Sequence, residues 1–443
     1  MAQPESSPSG NALPSLSRRW YVLVMMTLVY TMSIADRYAI STVQEAIRLE
    51  MKLSDFAVNL LTAWPLALFY VGFGFPLAWL IDRYSRRFII VVSLLGWSVM
   101  TWAVSLTRSY WQLLTTRVGV GIGEAGGTPG ANSMLSDYFP TDRRPMALTI
   151  FALGAPIGAW LAQNFAGAVA DAHGWRAVFL ALGLPGVLLA LLIWFTVREP
   201  PRGQFDVKRD ADASVGDSMR FLASQRSAVH LMVGSALTAL WGWGLMWDTP
   251  TFLVRTYHIS IGEAGGIIGP INLWAGIGAT ALTGVVLGMP YFRDPRRIAW
   301  LMGTMIGLST IPSIILYWTH SLVVAKAMLW IFVPTIYFYI GPCFGILNNL
   351  AQPRMRAMFC AATLFLANVG NLVIAPPLLG KLSDLFAGPA GPDADSLRLA
   401  MLCLAPAGFW AAFHYFWCTR RMAADQERAT GISITTGAAL SSH

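Results

Sequence analysis

Four charged side chains lie inside two long apolar segments, where they are placed to exchange protons and to bind an anion. Arg117 and Glu124 are seven residues apart in one segment, so on a helix they share one face, about 10 Å apart along the axis. Asp36 and Arg37 lie some two-thirds of the way along the other segment. An ionisable group at bilayer depth costs at least ~2.5 kcal/mol, so its presence there indicates a functional site.

The chemistry expected of these four groups is proton exchange coupled to anion binding. A carboxylate that loses its arginine partner to a bound anion is less stable in its ionised form and takes up a proton more readily. We therefore predict that Asp36 and Glu124 carry protons and that Arg37 and Arg117 bind the anionic group of a substrate. The alternative is a fixed ion-pair cluster that only holds the first and fourth helices together.

Glycines flank Glu124, and those from Gly121 to Gly126 match the G-x-G-x-x-G fingerprint of dinucleotide-binding folds. That fingerprint requires a preceding strand and a soluble βαβ unit, whereas this one lies inside a long apolar helical segment. Small residues in such a segment allow a neighbouring membrane helix to approach to backbone contact. The glycines therefore predict tight helix packing and no nucleotide cofactor.

The composition is that of a polytopic membrane protein. Of the 443 residues 55% are hydrophobic and 12% are charged, and apolar segments long enough to cross ~30 Å of hydrocarbon recur along the chain. We count twelve. The net charge of +8 does not indicate nucleic acid, because most basic residues fall in alternate loops, which places both termini in the cytoplasm.

The predicted organisation is two six-helix bundles joined by a polar linker. Residues 1–17 are predicted to be a disordered cytoplasmic tail, and the first helix to run from Arg18 to Ile47. The last helix is predicted from Leu397 to Thr419, and the end of the linker is predicted to form a short interfacial helix. The remaining predicted units are a bundle at 18–197, a cytoplasmic linker at 198–226, a bundle at 227–419 and a cytoplasmic tail at 420–443.

Two loop motifs recur about 210 residues apart, and this spacing indicates that the bundles are internal repeats. One motif follows the second and the eighth predicted helices, and the other follows the fourth and the tenth. The matched residues are Asp82, Arg86 and Arg87 with Asp294, Arg296 and Arg297, and Pro140 and Arg143 with Pro353 and Arg356.

The chain resembles the major facilitator superfamily. Twelve predicted helices in two repeated halves are typical of that superfamily, and Ala78 to Arg87 is similar to its G-x-L-x-D-R-x-G-R-R loop, with Ala78 and Ser85 in place of the two glycines. The resemblance implies an all-α membrane protein with twelve transmembrane helices in two pseudo-symmetric six-helix bundles. It also implies a secondary active transporter that works by alternating access, with its substrate site between the halves.

Within the superfamily the chain looks like the spinster family. This resemblance implies proton-coupled transport of a lysolipid or sphingolipid-like amphiphile with an anionic or zwitterionic head. The chain departs from the family pattern at Ser33-Ile34, where Asn-Tyr is frequent, and at Gly126-Gly127, where Ser-Tyr is common. The similar motifs are Asp36-Arg-Tyr38, Arg117 to Ala125, Asp82 to Arg87, Gly174-Trp-Arg176 and Pro377 to Asp384.

The loop Asp82 to Arg87 has two interpretations. It is either a solvated basic loop that only sets topology, or a gate formed by Asp82, Arg83, Arg86 and Arg87. The superfamily resemblance favours the gate, in which Asp82 accepts hydrogen bonds from a neighbouring helix end and holds the cytoplasmic face shut.

An aromatic group on the seventh predicted helix, formed by Trp241, Trp243, Trp247 and Phe252, is a candidate wall for an acyl-chain chamber. From it we take Trp241 and Trp247 as substrate-binding residues. The alternative is that these tryptophans are interface anchors or core. Asp248, near the outer end of the same helix, is expected to be solvated.

The sequence therefore predicts a transporter of a small-molecule or lipid substrate, with protons and the lipid bilayer as its other partners. No catalytic residue, cofactor or metal site is predicted: the four cysteines lack C-x-x-C spacing, and no G-x-x-x-x-G-K-[ST] loop for ATP is present. We expect a monomer in a bacterial inner membrane. The alternatives are a proton-linked symporter of small organic anions and, from another class, a non-transporting membrane sensor or enzyme.

Overall fold

The computed structural model describes residues 15–140, 143–202, 214–352 and 355–430, without the side chains at positions 70, 71, 74, 75, 78, 82, 145 and 357. The regular structure in these ranges is helical. Most of the predicted amino-terminal tail, the middle of the predicted linker and residues 431–443 lie outside the described residues.

Eighteen α-helices in the described ranges form twelve long segments, one short connecting helix, α8, and a short last helix, α18. Four segments are interrupted by a break: α5 with α6, α12 with α13, α14 with α15, and α16 with α17. The helices are α1 (Leu16–Met51), α2 (Asp55–Arg83), α3 (Arg86–Val104), α4 (Tyr110–Tyr138), α5 (Arg144–Ala152), α6 (Gly154–His173), α7 (Trp175–Thr196), α8 (Val215–Ser224), α9 (Arg226–Tyr257), α10 (Ile261–Gly288), α11 (Pro295–Trp318), α12 (Leu322–Phe338), α13 (Ile340–Leu350), α14 (Arg356–Asn368), α15 (Ala375–Phe386), α16 (Ala394–Leu404), α17 (Ala407–Cys418) and α18 (Met422–Thr430).

Nine of these segments are long and apolar enough to cross a membrane, judged on the described residues. The other three are α1, α2 and α4, with 36, 29 and 29 residues. At 1.5 Å per residue each exceeds the ~30 Å of a hydrocarbon core. The first helix is longer than predicted, and it ends where Lys52 adopts a left-handed conformation with φ of 53°.

The described parts of the predicted linker and of the predicted carboxyl-terminal tail each contain a short helix that packs against the second bundle. The short helix α8 is present where an interfacial helix is predicted, but Leu222 is buried and the ring of Phe221 lies 6.2 Å from that of Phe359. Within the predicted carboxyl-terminal tail, α18 docks onto α9 because Asp425 accepts a 2.7 Å hydrogen bond from the backbone N–H of Ser227.

The first bundle is built on close contacts between α4 and its neighbours α2 and α3. A Cβ atom at Gly123 would lie 2.8 Å from the backbone nitrogen of Trp97, and one at Gly121 would lie 2.8 Å from the carbonyl oxygen of Pro65. Only glycine permits such an approach. The predicted packing role of these glycines is therefore confirmed.

The two bundles meet on the side of the molecule where α1 ends and α2 begins, here called the closed side. The opposite side, where α1 begins and α18 ends, is called the terminal side. The extensive contacts between bundles join α6 to α10 and α2 to α15. Both pairs share one arrangement, in which an aspartate of one bundle accepts hydrogen bonds from the start of a helix in the other.

In each arrangement the helix has a serine N-cap, which leaves backbone N–H groups of the first turn available to another acceptor. Ser54 accepts a hydrogen bond from the N–H of Ala57 and so caps α2, while the N–H groups of Asp55 and Phe56 bind Asp384 of α15 at 2.9 and 3.1 Å. The first N–H groups of a helix have no partner inside the helix, and they favour a negative charge.

The contact between α6 and α10 is the pseudo-symmetric equivalent of the contact between α15 and α2. Ser260 caps α10, and Asp171 of α6 accepts hydrogen bonds from the N–H of Gly262 at 2.9 Å and the hydroxyl of Ser260 at 2.6 Å. Both aspartates end a Gly-x-x-x-Asp pattern, Gly167 to Asp171 and Gly380 to Asp384, about 210 residues apart. A Cβ at Gly380 would lie 2.5 Å from the carbonyl oxygen of Asp55, so the glycine permits the approach that the aspartate needs.

We expect Gly123→Ala to destabilise the protein, because the added methyl group meets the α3 backbone and overpacking of this kind costs about 1–3 kcal/mol. The matched control is Gly96→Ala, where an added Cβ meets nothing within 4 Å. Thermal denaturation of both variants in detergent should show a lower midpoint for Gly123→Ala alone. Equal midpoints would contradict the packing described above.

We expect the double variant Asp171→Ala/Asp384→Ala to open the closed side. A carboxylate bound to a helix N-terminus is worth about 1 kcal/mol, so losing two of them should change the ratio of open to closed molecules roughly thirtyfold. Spin-label distances measured across the closed side would report the change. Asp395→Ala, which removes an exposed carboxylate paired within its own bundle, should leave the distances unchanged.

Candidate functional site

A cavity of about 800 Å³ lies between the two bundles. Its wall includes Leu148 near the start of α5, Leu287 near the end of α10, and Phe344 and Leu364 of the second bundle. Because α5 starts and α10 ends on the terminal side, the cavity extends from the middle of the protein towards that side. Much of the wall is apolar, and its aromatic members are Tyr30, Tyr38, Trp243, Trp247, Tyr337, Tyr339 and Phe344.

Arg37 is the charged member of this wall, among the lining residues that the structure describes. Its Nε donates a 2.7 Å hydrogen bond to Oε2 of Glu124, across the contact between α1 and α4. The side chain of Arg37 is 19% exposed, whereas that of Glu124 is fully buried. Arg37 therefore connects the cavity to a buried carboxylate.

The other two predicted charges lie behind the wall. Asp36 is buried, and its Oδ2 accepts a 2.9 Å hydrogen bond from the hydroxyl of Thr101 on α3. Arg117 is fully buried, and its three guanidinium nitrogens have no hydrogen-bond partner among the described residues. The charges of all four groups are close enough to interact.

The structure brings the four predicted residues together, but it places Arg117 behind the cavity wall, where the sequence predicts a side chain that faces the cavity. Arg37 and Asp36 are adjacent on α1 and so point about 100° apart, one into the cavity and one towards α3. Arg117 lies on α4, which packs against α1, α2 and α3, and it does not line the cavity in this arrangement.

The two predicted tryptophans have different surroundings. Trp247 lines the cavity, but Trp241 is fully buried inside the second bundle, where its Nε1 donates to Ser313 at 3.1 Å and its ring packs edge-on against Phe332. Residues six apart on a helix point in different directions, whereas those four apart share a face. Trp243, four residues before Trp247, lines the cavity where Trp241 was expected.

Polar residues on α14 and on the π-helical turn Val369–Ile374 that follows it were missed by sequence reasoning. Asn368 and Asn371 line the cavity at this turn, which separates α14 from α15. The turn is held in place by Trp64 of α2, whose Nε1 donates to the carbonyl of Val373 at 2.8 Å. Two asparagines in an otherwise apolar segment were the available signal, and π-helical turns are frequent at functional sites.

The loop predicted as a gate binds within the first bundle. The side chain of Asp82 lies outside the described residues. Arg83 is exposed and lies over the ring of Trp79 at 4.1 Å, whereas Arg86 is buried and pairs with Asp137 and, at 2.8 Å, with Glu199.

Arg87, in the same loop, makes contacts with the end of α7. Its Nη1 donates a 3.1 Å hydrogen bond to the carbonyl of Val197, and its guanidinium lies 4.9 Å from the ring centre of Trp194. Arg86 and Arg87 thus link α3 to α4 and α7. These contacts do not fit the interpretation of a purely solvated basic loop.

Glu199, which the sequence interpretation did not select, binds the start of α3. It accepts hydrogen bonds from the N–H groups of Arg86 at 3.2 Å and Arg87 at 2.8 Å, and from the hydroxyl of Ser85 at 3.0 Å. Partial burial acts to raise the pKa of Glu199, but these bonds and the guanidinium of Arg86 outweigh it and hold the pKa below its usual value. Glu199 is thus an ionised partner of Ser85, Arg86 and Arg87.

No group of three or more metal-ligating side chains occurs in the described part of the chain, and the four cysteines are free thiols. Cys343 and Cys418 are buried. The chemistry that the cavity offers is therefore binding by aromatic and polar groups together with one arginine that is paired to a buried carboxylate.

Comparison with known proteins identifies the family. The profile of the Major Facilitator Superfamily matches residues 26–375. A bacterial homolog of the human lysosomal transporter Spinster, solved in an inward-facing and unoccupied conformation, has a TM-score of 0.84 and 31% identity, over 93% of this chain and 99% of that chain.

Two relatives of known sequence agree with that match. An MFS-type efflux pump of Mycolicibacterium smegmatis is 29% identical over 396 residues, which cover 88% of this chain and 90% of the pump. Protein spinster homolog 1 of Xenopus laevis is 27% identical over 405 residues, covering 84% of this chain and 74% of the relative. The chain is a multi-pass membrane protein that belongs to the Major Facilitator Superfamily, as a spinster-like transporter.

Proposed function

We propose that the protein is a proton-coupled transporter of an amphiphile, a lysolipid or sphingolipid-like molecule with an anionic or zwitterionic head, working by alternating access. The observation that carries this proposal is the 2.7 Å hydrogen bond between Arg37, on the cavity wall, and the buried Glu124. A substrate anion that binds Arg37 competes with Glu124 for the same guanidinium.

The coupling step follows from that competition. Once Arg37 turns to the substrate, Glu124 is a buried carboxylate without its nearest partner, and a proton neutralises it at a lower cost than ionisation. Asp36 and Arg117, which lie behind the cavity wall, also influence this competition, because their charges interact with that of Glu124. Proton binding and substrate binding thereby support one another.

The shape and lining of the cavity support an amphiphile. Its volume of about 800 Å³ is in the range of sites that enclose drug-sized ligands, roughly 300–1,000 Å³. The head group would lie at Arg37 beside Tyr38, and the apolar part would lie along Leu148 and Phe344 towards the terminal side. A symporter of small organic anions, the second candidate, would be expected to place more cations on a smaller and more polar wall.

We infer that the terminal side faces the cytoplasm of a bacterial inner membrane. The basic residues concentrate in the loops of that side, as the positive-inside rule requires. The arrangement described here is then inward-facing, as is the solved conformation of the bacterial spinster homolog. The loop Asp82 to Arg87 lies on this side, where we propose that it acts as the gate once the cavity turns outward.

We expect Glu124→Gln and Asp36→Asn to weaken the response of transport to pH. Each change removes a carboxylate that the coupling step requires, and a charge-assisted hydrogen bond is worth ~1.5–3 kcal/mol, so gradient-driven uptake should fall roughly tenfold or more. The measurement is uptake of labelled lysolipids by proteoliposomes at one fixed pH and under a pH gradient. Lys326→Gln, on an exposed position of α12, is the control; parental pH responses in both carboxylate variants would refute the coupling.

We expect Arg37→Gln to raise the KM for a substrate with an anionic head at least tenfold, since roughly 1.4 kcal/mol of lost binding has that effect. A neutral amphiphile of the same chain length should be affected much less. Competition of labelled lysolipid with simple carboxylates separates the two candidates: displacement by carboxylates at comparable concentration would favour the organic-anion symporter.

A further inference from the structure

Asp248 is a buried carboxylate between the bundles that the mechanism above does not use. It lies on α9 and is 1% exposed, so the expectation that it is solvated was wrong. Its Oδ1 accepts a 2.7 Å hydrogen bond from Nε2 of Gln44 on α1, whereas its Oδ2 has no hydrogen-bond partner among the described residues. Asn59 of α2 is the second amide beside the carboxyl group.

The surroundings of Asp248 are a polar seam to which both bundles contribute. Ser41 donates a 2.6 Å hydrogen bond to the carbonyl of Trp247, and Nε1 of Trp247 lies 3.4 Å from the hydroxyl of Thr62. Thr62 in turn donates to Gln44 at 3.2 Å. The seam exists only while the bundles are together on the closed side, because its two halves belong to different bundles.

The ion-pair cluster beside Asp248 is already balanced without it. Arg255, two turns further along α9, donates both Nη groups to Asp55 at 2.7 Å and one of them to Glu45 at 2.5 Å. Arg48 also binds Glu45, at 2.8 Å, and lies 3.5 Å from Asp55. Two arginines thus face two carboxylates.

An ionised Asp248 would add an unbalanced negative charge to this buried cluster. The charged groups that act on it are Asp55, from α2, and Arg255, on its own helix; the titratable group from α11 is the hydroxyl of Tyr317. Burying an uncompensated charge is costly, whereas a neutral carboxyl group needs only its hydrogen bonds. The packed seam therefore fits the neutral acid.

We propose that Asp248 is a second proton-binding site, in the other bundle from Asp36 and Glu124, and that its protonation holds the closed side shut. When the bundles part on that side, water reaches the carboxyl group, which releases its proton from Oδ2 to that solvent. Closure requires that a proton return from the same side. This inference extends the proposed proton coupling, but it concerns a conformational equilibrium that exists without substrate.

The test is the opening of the closed side as a function of pH, measured by spin-label distances in nanodiscs without substrate. In the parent, the ratio of open to closed molecules should rise with pH, by at most about tenfold per pH unit for one proton. Asp248→Asn, which mimics the neutral acid, should stay closed across the range. A parental pH response in Asp248→Asn would overturn the proposal.

A second variant keeps the test decisive if Asp248→Asn does not fold. Gln44→Leu removes the amide donor that the closed seam gives to the neutral acid, so the closed side loses a stabilising hydrogen bond and the pH at which it opens should move downward, while the opening stays pH-dependent. A midpoint that is unchanged or higher would contradict the proposal. Asp395→Asn, an exposed carboxylate on the same side, is the matched control and should keep the parental midpoint.

Two further variants separate this site from the proposed function. Glu124→Gln and Asp36→Asn should retain the pH-dependent opening of the closed side, because they lie in the other proton-binding group. Loss of that opening in these variants would mean that the first group governs it, which would overturn the role of Asp248. If no lysolipid is transported at all, the proposed function is wrong. The distance measurement still tests the role of Asp248, because it is made without substrate.

Discussion

The constraint on which this structure depends is that charges buried in an apolar bundle must be matched by neighbours on other helices. The 2.7 Å contact of Arg37 with Glu124 is the central case, because one partner borders the cavity and the other is sealed from it. The glycines of α4 make the enclosure possible by allowing α2 and α3 to approach to backbone distance. A group that binds Arg37 from the cavity therefore changes the electrostatic surroundings of Glu124, a carboxylate that solvent does not reach.

The same constraint explains why the closed side is held by polar contacts. The bonds of Asp171 and Asp384 to helix N-termini and the cluster around Arg255 join the bundles there. Hydrogen bonds that are exchanged for bonds to water change the free energy by only about 0.5–1.5 kcal/mol each. An interface made of such contacts is able to separate and reform, which an apolar interface of equal area would resist.

The pseudo-symmetry of the two halves extends to this interface. The Gly-x-x-x-Asp patterns of α6 and α15 and the serine-capped starts of α10 and α2 occupy equivalent positions in the two repeats. The charge clusters near Arg86 and near Arg255 are not equivalent. The first lies within one bundle and the second lies between bundles, so the two sides of the membrane protein are held by different means.

The sequence by itself determined the membrane class, the repeat, the meeting of α1 with α4 and the packing role of the glycines, since each depends on composition or on helical spacing within a short stretch. Only the tertiary structure decided that Trp241 faces core while Trp243 and Trp247 face the cavity, and that Arg117 lies behind the wall. Asp248 shows the reason most clearly. Its place near a helix end predicts solvation, but Gln44 and Asn59, some 200 residues earlier in the chain, cover it. Spacing along one helix says which residues share a face, whereas what covers that face depends on segments far away in the chain.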